Sequence, residues 1–574
     1  MNIRKFYLAI LTILISSVAY SQKEKNLFAA PLKFPLSLSA SFGEIRTDHY
    51  HSGVDIKTQG VTGKEVIAAD DGYVYYILVS PTGFGKAIYL RHASGFSTVY
   101  CHFEHFTPEI DAYVKSLQYQ NRSFSITITP PENRFRFKKG DIIGFSGNSG
   151  SSFGPHLHFE IRKTDGEKPV NPLLFNFGIE DNIKPVIEML GIYKESDKTY
   201  INGNTRNLII SAAGSNGNYY LSEDNTIRIS GLAGFGVSSH DSMNDSPNRF
   251  GINSIDLQID SIPWFSYEIN EFSFSETRYI NAHIDYESYV RNNLSIEKAF
   301  VLPNDKLDLY RNYMNNGLFD FSDDKTHNIK ITVKDGSNNI SILTFKVISD
   351  SQESVNVGKT ADSTFILMPY QRSNYFESGD LKVNIPQGAL YDTLRFRFSK
   401  SEESGNYFSD VYSIHNIYTP LQKPMNVAIR PGKSIKGPKS KLILVLIGKD
   451  QKPIYAGGAL SGEYVTADVT YFGNYAVWTD TIPPVIGSNG FTNGADLSGK
   501  SEIKFSITDN FSGIKTYYGT IDGNWALFEY DPRSDLLFYK FDNNRLTKST
   551  KHSLILKVTD NCNNSSILTR EFLW

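Results

Sequence analysis

Apolar and polar residues alternate along much of this chain, and the alternation is densest in the first third. In "GPHLHFEIR", Gly154 to Arg162, a strand would send Leu157, Phe159 and Ile161 to one face and His156, His158 and Glu160 to the other. Short runs of the same kind recur between residues 31 and 175, among them "GYVYYILV", "KAIYLRH", "FSTVYCHF" and "DIIGFSG", separated by glycine turns. One insert, about 106–137, breaks this pattern and contains the helix-compatible "PEIDAYVKSLQYQ".

Beyond "VNP", Val170 to Pro172, the composition shifts to Asn, Ser and Asp, and two stretches repeat each other. "HNIKITVKDGSNNISILTFK" begins at His327 and "HSLILKVTDNCNNSSILTRE" at His552. Each reads as a strand, an Asp/Asn turn and a second strand, and each follows a similar opener, "DNIKPVI" from Asp181 and "DTIPPVI" from Asp480. The first copy is longer, which predicts an insertion. These patterns predict immunoglobulin-like β-sandwich modules over 181–350 and 480–574, with a β-rich domain of no assigned family over 355–478. The predicted fold class is mainly β, a β-rich N-terminal region followed by two or three sandwich modules.

A length of 574 residues fits about four domains of the usual ~150 residues. Aromatic residues at 13%, with 34 Tyr and 38 Phe, agree with β-rich domains. A net charge of -3 gives no ground for a nucleic-acid or anionic-membrane partner. Arg4 and Lys5 precede a 13-residue apolar run, Phe6 to Val18, and Ala19-Tyr20-Ser21 offers small residues beyond it. That run is too short to span a bilayer and predicts a signal peptide over 1–21, hence export to a periplasm, the cell envelope or the medium. No later stretch is apolar enough to cross a membrane. Two cysteines, Cys101 and Cys562, make no disulfide framework; alternation turns Cys101 away from His102 into an apolar setting.

Seven of the 12 histidines fall between residues 49 and 158. In "HYHSGVDI", His51 and Asp55 stand four apart. Two mixed ligands on one segment and a histidine from a distant strand is a common way to build a three-ligand zinc site with an open fourth position. His51, Asp55 and one of His156 or His158 supply that set. The remaining imidazoles can then move protons or stabilise an oxyanion.

"HSGVD", "STVYCH" and "GPHLHFEIR" resemble, in this order, the lysostaphin/LytM-type zinc metalloendopeptidases that cut peptidoglycan cross-links. "SFGEIR", "VIAADDGYV", "KKGDIIGFSGNSG" and the closing "VNP" agree, so the resemblance spans about 31–175 of a peptidase domain expected over 31–178. It implies an N-terminal antiparallel β-sheet sandwich whose groove holds one Zn2+ per chain on His51, Asp55 and His158, with His102 and His156 as catalytic histidines. It further implies peptidoglycan peptide stems or cross-bridges as substrate. The rival function is a non-catalytic regulator of the same fold that activates other cell-wall hydrolases. The C-terminal modules are expected to place the enzyme on the wall or dock it to envelope proteins, and residues 22–178 to fold alone.

The neighbours carry plainer expectations. His49 reads as a solvated loop residue, His92 as a hydrogen-bonded strand residue and His105 as the alternative to His102. Arg46 could meet substrate or pair with an acid. Glu160 could orient an imidazole or lie at the surface. Tyr50 and Tyr100 could line the groove or pack. The insert could line the groove. The Gly-rich stretch from Gly147 to Gly154 lacks the Lys-Ser/Thr of a phosphate loop, which excludes a nucleotide site of that kind.

Overall fold

The computed structural model describes residues 26–221, 226–351, 365–402, 407–432, 435, 437–488 and 490–574. The expected signal peptide lies outside the described residues. No helix among them is long and apolar enough to cross a membrane. Cys101 and Cys562 are both buried and free.

The chain is mainly β, as its alternation predicts. The N-terminal region places β1 (Leu38–Ala40), β2 (Val54–Lys57), β3 (Glu65–Ile67), β4 (Gly72–Val79), β5 (Lys86–His92), β6 (Phe96–Cys101) and β7 (Phe103–Phe106) before one helix. That helix, α1 (Pro108–Asn121), is followed by β8 (Ile126–Ile128), β9 (Arg136–Phe137), β10 (Ile142–Ser146), β11 (His156–Lys163) and β12 (Lys168–Val170). The larger sheet runs β1-β2-β11-β6-β5-β4-β8, with β12 on β11 and β9 on β4; a three-stranded sheet, β3-β10-β7, forms the second layer. Leu157, Phe159 and Ile161 are completely buried in the shared core with Val54, Ile56 and Tyr100. The opposite face of β11 is thereby left for the histidines.

The insert forms α1 for local reasons. Pro108 opens it, Glu109 and Asp111 in the first turn complement the helix dipole, and Ile110, Val114 and Gln118 face inward at successive turns. Arg122 ends it in the left-handed region at φ 49°.

The second module is a 13-stranded sheet assembly. The region after residue 365 forms two five-stranded sheets and a two-stranded ribbon, and the stretch from 485 onward a four-stranded and a five-stranded sheet. The repeated hairpins fold alike. His327 pairs through Nδ1 with Asp260 at 2.6 Å, and His552 with Asp522 at 2.7 Å.

The N-terminal region does not stand apart from the rest. Phe42 and Tyr50 belong to the second module's hydrophobic core, and Met243 and Phe250 of that module enter the peptidase-like core. The insert meets the C-terminal module: Lys115 pairs with Asp542 at 2.7 Å, and Tyr119 packs edge-on against Trp525 with centroids 5.2 Å apart. Shared cores of this kind argue against residues 22–178 folding alone.

Candidate metal centre

Strand β11 lies between β2 and β6, and the register sets His158 opposite both Asp55 and Cys101. His51 precedes β2 in a loop pressed onto β11. At Gly53 of that loop, a Cβ would stand 2.3 Å from the Phe159 carbonyl oxygen, so only glycine fits. His102 follows β6 in the left-handed region at φ 64°, an uncommon conformation for a residue with a side chain. This turn swings the chain from β6 into β7 and brings the His102 ring to 4.7 Å from that of His156 and 6.1 Å from that of His158.

Three donor atoms converge. His51 Nε2 lies 3.1 Å from His158 Nδ1 and 3.2 Å from Asp55 Oδ1, and His158 Nδ1 lies 2.9 Å from Asp55 Oδ1. Ligands at 2.0–2.1 Å in tetrahedral geometry stand ~3.3 Å apart, so the triangle fits a zinc ion. The other ring nitrogens are already committed. His51 Nδ1 donates to the Ser41 carbonyl at 2.7 Å, and His158 Nε2 donates to Glu160 at 2.9 Å. In the neutral ring, each commitment fixes the tautomer that turns a lone pair inward.

Glu160 is completely buried and also accepts from Ser52 Oγ and Arg162 Nε. Burial opposes its ionisation, but Arg162 and His158 bring it down to about 2. Burial likewise opposes a charge on His158; the hydrogen bonds to Asp55 and Glu160 outweigh it and push the imidazole up to about 9. Asp55 is held well below the carboxylate range because His51 and His158 overcome its burial. His102 goes the other way, down to about 3, through burial and the neighbouring His158 and His156. It is therefore neutral at physiological pH. Its Nδ1 donates to the Ser149 carbonyl at 2.8 Å, and His156 Nδ1 donates to that of Gly154 at 2.8 Å. His156 Nε2 approaches Asp55 Oδ1 to 3.6 Å.

All five residues line one groove of about 1030 Å3. His49 stands at its edge, half exposed, beside Asp48 at 3.0 Å. Arg46 also lines it and pairs with Glu44 at 3.0 Å. His92 is a hydrogen-bonded strand residue, held by the Asp71 carbonyl and Thr98. Tyr50 and Tyr100 both pack in cores. His105 packs at a tilt against Phe145, 4.5 Å between centroids, and lies away from the groove in a cavity shared with Asp111 and Glu529. The insert, residues 106–137, contributes no lining residue to the groove among those described.

The sequence left several contributors unnoticed. Arg162 shares the face of His156, His158 and Glu160, so alternation alone could have exposed it. Phe84, stacked on His158 at 5.3 Å, gave no signal. Nor did Arg249, Phe274 and Thr277, which the second module's insertion brings to the groove. Thr277 Oγ1 accepts from the Tyr50 main chain at 2.7 Å, and Arg278 reaches Asp48 at 2.7 Å.

Residues 366–480 match the profile of a Zu5-like domain, and residues 49–119 and 132–172 that of Peptidase family M23. The DD-carboxypeptidase/endopeptidase Mpg of Neisseria meningitidis serogroup B is 30% identical over 129 residues, 22% of this chain and 23% of that protein. An uncharacterized metalloprotease of Haemophilus influenzae is 34% identical over 123 residues, 21% of this chain and 20% of its own. The chain thus spans less than a quarter of the length of these curated relatives. Among solved structures, the catalytic domain of the antimicrobial peptidase lysostaphin from Staphylococcus simulans aligns at 22% identity and a TM-score of 0.18, over 24% of this chain and 90% of that one. The stretch that matches Peptidase family M23 is the stretch that carries His51, Asp55, His102, His156 and His158.

Proposed function

We propose that this chain is an exported, zinc-dependent endopeptidase that hydrolyses peptide cross-links of peptidoglycan, with one zinc held by His51, Asp55 and His158. The observation that carries the reading is the convergence of two imidazole nitrogens and one carboxylate oxygen within 3.2 Å of one another in a groove. The M23 match and relatives named as an endopeptidase and a metalloprotease support the substrate class. The apolar run behind Arg4 and Lys5 supports export.

Zinc bound there supplies a Lewis acid and lowers the pKa of a water toward ~7. The chain's own groups do the rest. His102 and His156 each commit Nδ1–H to a main-chain carbonyl, which leaves Nε2 as the atom that exchanges protons. Neutral His102 is suited to accept a proton from the attacking water. A ring that has taken the proton can donate it from Nε2 to the developing oxyanion or to the leaving amine. Glu160, with Arg162 and Ser52 behind it, keeps His158 in its ligand tautomer. Arg46, Arg249 and Phe274 offer charge and an aromatic face to a peptide lying in the groove.

The test uses the full mature chain and purified peptidoglycan. Zinc content of one per chain, release of cross-link cleavage products, loss on chelation and recovery with zinc are expected. Zinc-loaded protein that releases nothing yet stimulates a second wall hydrolase would replace this reading with the non-catalytic regulator.

A further inference from the structure

The repeated modules place a second kind of cluster at two equivalent points. In the first module Asp181 precedes strand Val186–Lys194, Asp241 follows Ile227–His240, and Asp335 follows Thr326–Lys334. In the C-terminal module Asp480 precedes Val485–Gly487, Asp509 follows Glu502–Thr508, and Asp560 ends Lys551–Asp560. Register makes the two sets equivalent: Val186 lies opposite His240, and Val485 opposite Thr508.

The surrounding hydrogen bonds repeat too. Asn339 and Asn564 donate from Nδ2 to the main-chain carbonyls of Asp181 and Asp480, at 3.2 and 3.1 Å. The same amides reach the carboxylates of Asp335 and Asp560 at 2.8 and 2.7 Å. Ser341 and Ser566 donate to the carbonyls of Pro185 and Pro484.

Within each set, the three carboxylates offer oxygens that all lie within 4.8 Å of one another. Asp241 is 0% exposed, and neither of its carboxylate oxygens has a hydrogen-bond partner. Asp480, 3% exposed, leaves Oδ2 unpartnered, and Asp509 leaves Oδ1 so. Asp335 and Asp181 face the buried Asp241 carboxyl, so three acidic groups share one enclosed point. Buried carboxylates are ordinarily paired with a cation or coordinated to one.

We propose that each triad is a binding site for a hard divalent cation of the calcium class, one on Asp181, Asp241 and Asp335 and the other on Asp480, Asp509 and Asp560. Every donor is oxygen, which selects against zinc and for calcium. Calcium holds oxygens at 2.3–2.6 Å, a shell up to ~5 Å across, and the carboxylate spacing fits inside it. Asp181 lies at the joint beyond the M23 match, and Asp480 is the final residue of the Zu5-like match. A cation at each joint ties the incoming chain to the turn of the repeated hairpin. The proposal is independent of the peptidase reading.

The test strips the full chain of metal, restores zinc at one equivalent and titrates calcium by calorimetry and thermal unfolding. Two calcium ions per chain and a rise in Tm are expected. Asp241→Asn and Asp509→Asn should each lower the stoichiometry by one, and the double variant should lose the calcium response. Without calcium the same variants should melt no lower than wild type, because an amide of the same shape replaces a carboxyl that has oxygens without partners and can donate to the facing carboxylates; that result separates loss of a site from loss of fold. Two calcium ions still bound by the double variant would overturn the proposal. So would no binding at about 10 mM, tenfold above the weak end of such sites near 10⁻³ M.

Discussion

At His51 and His158, each ring nitrogen that faces away from the centre is held by Ser41 or Glu160, so the inward nitrogens already face one point, and at His158 an ion has only a proton to displace. At Asp241, both carboxylate oxygens are left without a partner. The difference follows from the ligands. An imidazole has two unlike nitrogens and must be told which to present. A carboxylate has two like oxygens and needs only to be brought close, and here strand ends and Asn339 or Asn564 do that. The first arrangement suits an ion that must stay exposed to reactants; the second suits an ion enclosed at a joint.

The sharpest test of this contrast exchanges the residues that matter to each centre. His158→Ala should remove the zinc and take peptidoglycan hydrolysis below detection, whereas Asp241→Asn should leave hydrolysis at the wild-type level. Zinc retained in His158→Ala, by metal analysis, would break the comparison at its first term. The next effect in size belongs to His102→Ala, which should keep zinc and lose ~10²–10⁴ in rate. Wild-type digestion by that variant would move the proton-transfer role to another group. Glu160→Gln should weaken zinc by ~10–100-fold, measured by competition with a chromogenic chelator, because His158 loses the charge that orients it.

The smallest effect is a pH slope. In metal-stripped protein the His158 imidazole has a folded pKa near 9 against an ordinary 6.5. A raised histidine pKa stabilises the folded state fully below pH 6.5 and ceases to do so as pH rises through about 9. Thermal stability of stripped protein should therefore decline across that window, and His158→Ala should flatten the decline. Zinc competes with the same proton, so its apparent affinity should climb over the same range.

The histidine centre was legible in sequence because its members sit in short, contiguous motifs. Alternation in "GPHLHFEIR" separated the core face from the site face correctly, down to Leu157, Phe159 and Ile161. The choice of His158 over His156 as the third ligand was not legible in the alternation; it came with the resemblance to a known family. The aspartate triads were visible only as repeated openers and turns, since Asp181, Asp241 and Asp335 meet solely through strand pairing across long separations. The shared cores were hidden for a related reason. Nothing around Tyr50 tells that its ring is buried among residues of the second module, such as Phe272, 5.6 Å away between centroids. The helix-compatible stretch within the insert forms α1, but its partner, the C-terminal module, lies over 400 positions further on.

Arg533 of that module donates to the main-chain carbonyl of Ser152, on the groove's rim, across 381 residues of chain. Ribosomes elongate at ~5–20 residues per second, so on the order of 20–80 s separate the synthesis of the rim from that of the group that fastens it. The groove is thus one of the first parts of the chain to be made and one of the last to be finished, a built-in delay between the synthesis of the histidine centre and the completion of the rim around it.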